Sequence, residues 1–343
     1  MSEKRVTIYD LAKELGVSAS YISKALNSHP SVNAKMIESV RKKAFELNYQ
    51  SNSQAANLRL GSSKTIGVIV PHIDQRFFSD AIAGIEEICF KNNHSLIICQ
   101  SHESYSQECK AINTLIHQNV ACILISISEE TRSPTYLENI QKHHIALVQF
   151  DRCTEQLDGF KVSNDNEEAA YNATKKLFEN DYKSVAFIGG PDHIAIFKHR
   201  KEGFIRAHKE FGLTIPYNFI VEGSLTAEVG FKMASDLLSV KDPPDAFLTV
   251  SDNQALGILK VAALKGIKVP EQLGIFGFAN EAFANIITPT LSSVNQKSKE
   301  LGQHAAKIYF DVILRNKGPQ LTNYEEIIKS EVIIRESTKK RKD

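Results

Sequence analysis

Val6-Thr7-Ile8-Tyr9-Asp10-Leu11-Ala12-Lys13-Glu14-Leu15-Gly16-Val17-Ser18-Ala19-Ser20-Tyr21-Ile22-Ser23-Lys24-Ala25-Leu26 holds two helix-length apolar stripes separated by a short turn. In the first, Ile8, Leu11, Ala12 and Leu15 recur at i, i+3, i+4 and i+7, the spacing of one buried helix face. Thr7 with Asp10 three residues on reads as a capping box that starts this helix. Gly16 accepts the positive φ that ends it, and Ser18 is an N-cap for the second helix, in which Ile22, Ala25 and Leu26 point inward. Two helices across so short a turn form a helix-turn-helix.

The outward face of the second helix carries Ala19, Ser20, Ser23 and Lys24, mostly short side chains that let a helix sit deep in a major groove. Lys24 can donate to a guanine edge, Ala19 can touch a thymine methyl, and Ser20 can donate or accept at several bases. Asn33 caps a third helix, whose Met36, Ile37, Val40, Ala44 and Leu47 close a three-helix core. The following Ser51-Asn52-Ser53-Gln54-Ala55-Ala56-Asn57-Leu58-Arg59 suits a helix but has too little apolar area to fold alone, so it needs a partner to order it.

These residues resemble the LacI/GalR (lactose-repressor) family of bacterial transcriptional regulators. The resemblance is carried by Val6 to Ala12, Gly16-Val17-Ser18, Ser23 to Asn27, Val40, Leu47-Asn48-Tyr49 and Ala55 to Arg59, and it runs from about Val6 to Ile334. It implies DNA contact by Thr7, Ser18, Ala19, Ser20, Ser23, Lys24, Asn27 and Asn33 in the headpiece, and by Asn52, Ala55 and Leu58 in a hinge helix. Leu58 matches the leucine that hinge helices of this family push into the minor groove, where an apolar wedge unstacks a base step and kinks the duplex. Ser51 stands where many members carry proline, so this hinge is less restrained and depends more on DNA to order it.

Charge separates the chain in the same way. Residues 1–60 hold nine Lys/Arg and five Asp/Glu, a net of +4, which leaves −3 for the remainder of a 343-residue chain whose net charge is +1. A modestly basic reader on a slightly acidic body binds nonspecific DNA weakly and with strong salt dependence. No run approaches the roughly 20 apolar residues of a membrane span, and the N-terminus lacks a signal h-region, so a soluble, cytoplasmic protein is expected. The five cysteines, Cys89, Cys99, Cys109, Cys122 and Cys153, show no metal spacing and read as free thiols; no metal or cofactor is implied.

From about Lys64 apolar runs alternate with helical periods: strands at 65–71, 95–99 and 121–125 with helices at 79–91 and 107–118, then strands at 185–188, 246–250 and 274–276. Such alternation predicts βαβ units on parallel sheets. The fold class is therefore α/β: an all-α helix-turn-helix headpiece (1–50), a hinge helix (51–61) and a core (62–343) of two doubly wound subdomains like periplasmic sugar-binding proteins. The resemblance implies crossovers that give a first subdomain of about 64–161 plus 293–322 and a second of about 162–291 plus 323–336.

Ligands of doubly wound sheets bind beyond the carboxyl ends of the strands, where two such ends would face each other across a cleft. Asp74, Arg76, Phe77 and Phe78 follow the first strand; the phenylalanines can stack on a sugar or a base, and Arg76 occupies a place where proline is usual in the family. By resemblance, Asp151, Arg200, Leu225, Ser251, Asn280 and Gln296 also line the cleft, with Arg200 gripping effector hydroxyls or a carboxylate through its planar fork. Ala279 replaces an aspartate that commonly anchors a ligand hydroxyl, and Leu225 replaces a covering aromatic, which points to a ligand unlike the familiar ones.

The expected protein is a homodimeric repressor that reads a pseudo-palindromic operator and answers to a small molecule, a sugar or sugar derivative. Control by a partner protein, such as a phosphocarrier, is the alternative within regulation. A sugar-cleft enzyme would need a phosphate-cradling loop or a placed carboxylate pair; Gly189-Gly190-Pro191 is no P-loop, and Glu86-Glu87 and Glu129-Glu130 are adjacent solvated acids.

Overall fold

The structure, a computed structural model, describes residues 6–49, 63–315 and 323–339. The hinge helix expected at 51–61, with Asn52, Ala55 and Leu58, lies outside those residues. Two compact units meet in sequence at Ser63 and Lys64.

The first unit is built from α1 (Ile8–Leu15), α2 (Ala19–Leu26) and α3 (Ala34–Glu46). The capping box forms: Asp10 N–H donates to Thr7 Oγ1 at 3.4 Å while Thr7 N–H donates to Asp10 Oδ2 at 2.8 Å. Gly16 ends α1 at φ +65°. Ser18 Oγ accepts from Tyr21 N–H and Asn33 Oδ1 from Met36 N–H, caps worth about 1 kcal/mol each. Leu11, Ile22, Ala25 and Val40 meet at the centre with no exposure, so the stripes read from the sequence are the packed faces.

The second unit opens with β1 (Thr65–Val70), α4 (Arg76–Lys91), β2 (Ser95–Gln100), α5 (Tyr105–His117), β3 (Cys122–Ile125), α6 (Thr135–Lys142), β4 (Ala146–Phe150) and β5 (Phe160–Asn164). It continues with α7 (Asn166–Glu179), β6 (Val185–Gly189), α8 (Ala195–Glu210), β7 (Ile220–Glu222), α9 (Ala227–Leu237), β8 (Ala246–Thr249), α10 (Asp252–Lys265) and β9 (Gly274–Phe278). After a 3-10 turn come β10 (Ser292–Asn295), α11 (Ser298–Lys307), β11 (Tyr324–Ile328) and β12 (Glu331–Ile333). One sheet has the order β11-β5-β4-β3-β1-β2 and is parallel throughout; the other runs β12-β10-β9-β8-β6-β7, with only β10–β12 antiparallel.

Period-2 alternation explains the unbroken apolar runs. Ile66, Val68, Val70, Leu124 and Val148 face the layer of α4 and α11, whereas Ile69, Ile123, Ile125 and Leu147 face that of α5 and α6. Both faces are covered, as a parallel sheet requires.

The crossovers differ from the expected ranges. β5 extends to Asn164 within the first sheet, β10 (Ser292–Asn295) belongs to the second sheet instead of the first, and β11 (Tyr324–Ile328) belongs to the first instead of the second. The three crossing segments are tied by one side chain: Asn164 Nδ2 donates to the carbonyls of Gln296 at 2.8 Å and Ile328 at 3.2 Å. Asp165 N–H donates to Ile328 O, and Asp165 Oδ1 accepts from Ser330 N–H at 2.7 Å. These bonds tie together the segments that pass between the two sheets, at 164–165, 296 and 328–330.

Candidate functional site

On α2, Ser20 and Lys24 are exposed and Ala19 and Ser23 half-buried, while the opposite face is packed. Asn27 is exposed, but its amide donates to Ser23 O at 2.9 Å. Thr7, Ser18 and Asn33 use their side-chain oxygens in helix caps, and Thr7 Oγ1 also donates to Asp10 Oδ2. Ser20 and Lys24 are thus the two residues of α2 in the expected set that are exposed and have no capping role.

Within the second unit, the strand ends of the two sheets flank a partly open cavity of about 40 Å3 lined by Phe77, Phe78, Asp151, Arg200, Leu225, Ser251 and Gln296 among the expected residues. That is room for about three waters, against roughly 300 Å3 for an ordinary ligand pocket.

Two guanidinium groups fill the space. Arg200 Nε donates to Asn166 Oδ1 at 2.8 Å and Nη1 to Val250 O at 3.0 Å; the group lies 3.8 Å from the centre of the Phe278 ring. Its Nη2 has no hydrogen-bond partner among the described residues. Burial, opposed by Asp151 and reinforced by Arg152, lowers the Arg200 pKa to about 9, so it stays charged at neutral pH while its charge is poorly compensated. Arg152, buried, donates from Nη1 to both carboxylate oxygens of Glu103, at 2.7 and 2.9 Å, and stands 5.5 Å from the Phe197 ring. Burial opposes the Arg152 charge, but Glu103 and Asp151 together hold its pKa above the ordinary value. Asp151 has its pKa raised by burial against the pull of Arg152 and Arg200, and accepts from Ser126 Oγ at 3.3 Å.

Three expected contacts are elsewhere. Asp74 is exposed on the loop before α4. Arg76 points outward, because the α4 register that buries Phe77 and Phe78 turns it to solvent, where its Nε donates to Asp80 at 3.3 Å. Asn280 turns away from the cavity and accepts from Arg335 Nη2 at 2.6 Å. Arg152, Phe197, Phe278 and Glu281 line the cavity without having been singled out; a cation directly after Asp151 was the available signal for the first.

Ser251 caps α10, accepting from Asn253 N–H at 3.2 Å. The buried Asp252 carboxylate instead accepts from Ser293 Oγ at 2.7 Å and Glu281 N–H at 2.7 Å. Burial, only partly offset by those bonds, raises its pKa from 3.8 to about 6. Between pH 4 and 6 the folded chain thus keeps a proton that the unfolded chain releases, and stability falls as pH rises through this window, by about 3 kcal/mol in total. The Tm difference between the parent and Asp252→Asn should therefore shift in the variant's favour by several degrees from pH 4 to pH 7; a difference constant with pH would contradict this.

A family model for a periplasmic binding protein-like domain matches residues 174–338. The chain is 30% identical to the HTH-type transcriptional repressor PurR of Vibrio parahaemolyticus serotype O3:K6 over 335 residues, 97% of this chain and 99% of that one. It belongs to the LacI/GalR family. Another relative, catabolite control protein A of Priestia megaterium, is 29% identical over 88% of this chain and 91% of its own. The lac repressor dimer bound to operator and the anti-inducer ONPF superimposes with a TM-score of 0.85 at 20% identity, covering 98% of this chain and 99% of that one, a likeness of fold. As a member of the family the chain is a DNA-binding transcriptional regulator. No helix among the described residues is long and apolar enough to cross a membrane.

Proposed function

We propose that the chain is a homodimeric repressor which binds a pseudo-palindromic operator through residues 1–50, orders its hinge at 51–61 on that DNA, and is released or engaged by an anionic or hydroxyl-rich small molecule in the core cleft. Arg200 carries the ligand half of this reading: a buried guanidinium, stacked on Phe278, with Nη2 unpartnered beside the cavity. Phe77 and Phe78, edge to face at 5.1 Å, offer an aromatic wall. The relatives' names, transcriptional repressor among them, and the operator and anti-inducer of the lac repressor structure support the sign and the two ligands.

An apolar groove of about 680 Å3 between α9 and α10, lined by Phe231, Leu256, Leu259 and Ile287, supports docking of a second copy. A ligand can act only through its preference between two arrangements of the halves. Leu58→Ala should weaken operator binding at least tenfold while leaving nonspecific binding nearly unchanged, read by salt-controlled titration; equal loss on both DNAs removes the wedge.

The narrowness of the cleft favours one other reading, control by a partner protein. A thermal-shift screen of sugars, sugar acids and sugar phosphates on the full chain separates the two: a Tm rise identifies an effector, while silence across the screen with a shift on adding a phosphocarrier protein selects the partner.

A further inference from the structure

Arg152, a residue the sequence did not mark, brings a second guanidinium to the cavity at the strand ends. Along a strand successive side chains point to opposite faces, so Asp151 and Arg152 should diverge beyond β4. Asp151 instead takes φ +57°, a left-handed conformation that breaks the alternation, and both side chains line the cavity. Arg152 and Arg200 are each 3% exposed, and both pack against one ring: the Phe197 centre lies 5.5 Å from the first guanidinium and 5.7 Å from the second.

Neither cation spends all its donors on the chain. Arg152 uses a single nitrogen, Nη1, for both bonds to Glu103, and its Nε and Nη2 have no hydrogen-bond partner among the described residues. Arg200 gives Nε to Asn166 and Nη1 to Val250 O, which leaves Nη2. Buried donors are nearly always satisfied, so donors left over on two buried cations in one cavity call for an acceptor from outside the chain. An oxyanion suits both, because its oxygens accept charge-assisted bonds from guanidinium groups.

The acids of the cavity narrow the choice of anion. Asp151, 4% exposed, accepts only from Ser126 Oγ, at 3.3 Å, among the described residues, so its other oxygen remains to accept from a ligand hydroxyl. Glu281 lines the same cavity. Two carboxyl groups beside the site oppose a second negative charge on the ligand and so disfavour a phosphoryl dianion. The partly open cavity of about 40 Å3 has room for one carboxylate, with the rest of the molecule beyond its open side.

We propose that Arg152 and Arg200 together grip the carboxylate of a polyhydroxy acid, a sugar acid by class, while Asp151 accepts from a neighbouring hydroxyl. Both the ligand class and the second contact residue rest on the cleft being an effector site, the reading given above.

Titration calorimetry on the full chain tests this with D-gluconate and D-glucuronate, their neutral counterparts sorbitol and D-glucose, and D-glucose 6-phosphate, all at one ionic strength. A sugar acid should bind at least about thirtyfold more tightly than its neutral counterpart, which leaves charged donors unpaired, and more tightly than the phosphate. Arg152→Gln should weaken the acid by about tenfold or more and the neutral sugar hardly at all. That variant strands the Glu103 carboxylate, so Glu103→Gln/Arg152→Gln, which removes both charges of the pair, repeats the measurement in a less burdened fold. Near-equal binding of acid and neutral counterpart, or tighter binding of the phosphate, overturns the carboxylate and leaves the cleft an effector site. Acid affinity unchanged in both variants overturns the role of Arg152. Binding of none of the probes by the parent overturns the proposal together with the cleft reading.

Discussion

Arg200→Ala is expected to abolish the effector response while the ligand-free chain still binds its operator. The guanidinium is anchored by Asn166 and Val250, stacked on Phe278, and left with Nη2 unpartnered beside the cavity. Its removal deletes the donor through which the ligand distinguishes the two arrangements of the halves, and a ligand without such a preference shifts nothing. The substitution also leaves the buried Asp151 with less positive charge nearby, so the core should lose about 3 kcal/mol, the order found when one member of a buried charged set is removed. That loss must be separated from the functional one. Arg200→Lys keeps the positive charge but not the planar fork, so it should recover much of the stability and little of the response. Fluorescence anisotropy of labelled operator, titrated with the effector from the thermal-shift screen, reads the response; denaturation by urea reads the stability. An unchanged response in Arg200→Ala would remove this residue from the site.

The sequence made some of these residues legible and hid others for identifiable reasons. The headpiece could be read residue by residue because its signals are local: stripes one or two turns long, a cap three residues from its target, a glycine at the turn. Phe77 and Phe78 were reachable because a strand end followed by a helix start places them at the cleft. Arg76 lies one position earlier, and a rotation of about 100° along the helix is enough to send it to solvent. Asn280 was lost to a partner 55 residues away, Arg335, which no local spacing announces. The crossovers failed similarly. Ser292–Asn295 and Tyr324–Ile328 are short strands whose alternation fits either sheet, and the choice is made by pairing with β9 and β5 and by the bonds of Asn164.

The largest loss of stability should come from a residue with no side chain. Gly257 on α10 and Gly230 on α9 lie where the two helices touch backbone to backbone: a Cβ on Gly257 would sit 2.1 Å from Ala227 O and 2.5 Å from Phe231 N, and one on Gly230 would sit 2.2 Å from Gln254 O. Alanine improves helix propensity by about 1 kcal/mol over glycine, which would favour Gly257→Ala if the site were open. The overlap is with main-chain atoms, which cannot rotate aside, so the helices must separate and strip contacts from Phe231, Ala255 and Ile258 along the seam. Overpacking of this kind costs up to about 3 kcal/mol or more and outweighs the propensity gain. Thermal denaturation should therefore show a Tm lower by several degrees, and a variant as stable as the parent would mean that the seam yields freely. The displacement should also be felt at the cleft. Asp252 is the first residue of α10, and its carboxylate holds the Glu281 amide. A shift of that helix should loosen this bond, so Gly257→Ala should raise hydrogen exchange at the Glu281 amide, whereas Gly84→Ala, which overpacks Lys299 O at 2.1 Å between α4 and α11, should destabilise the first half without disturbing the Asp252–Glu281 bond.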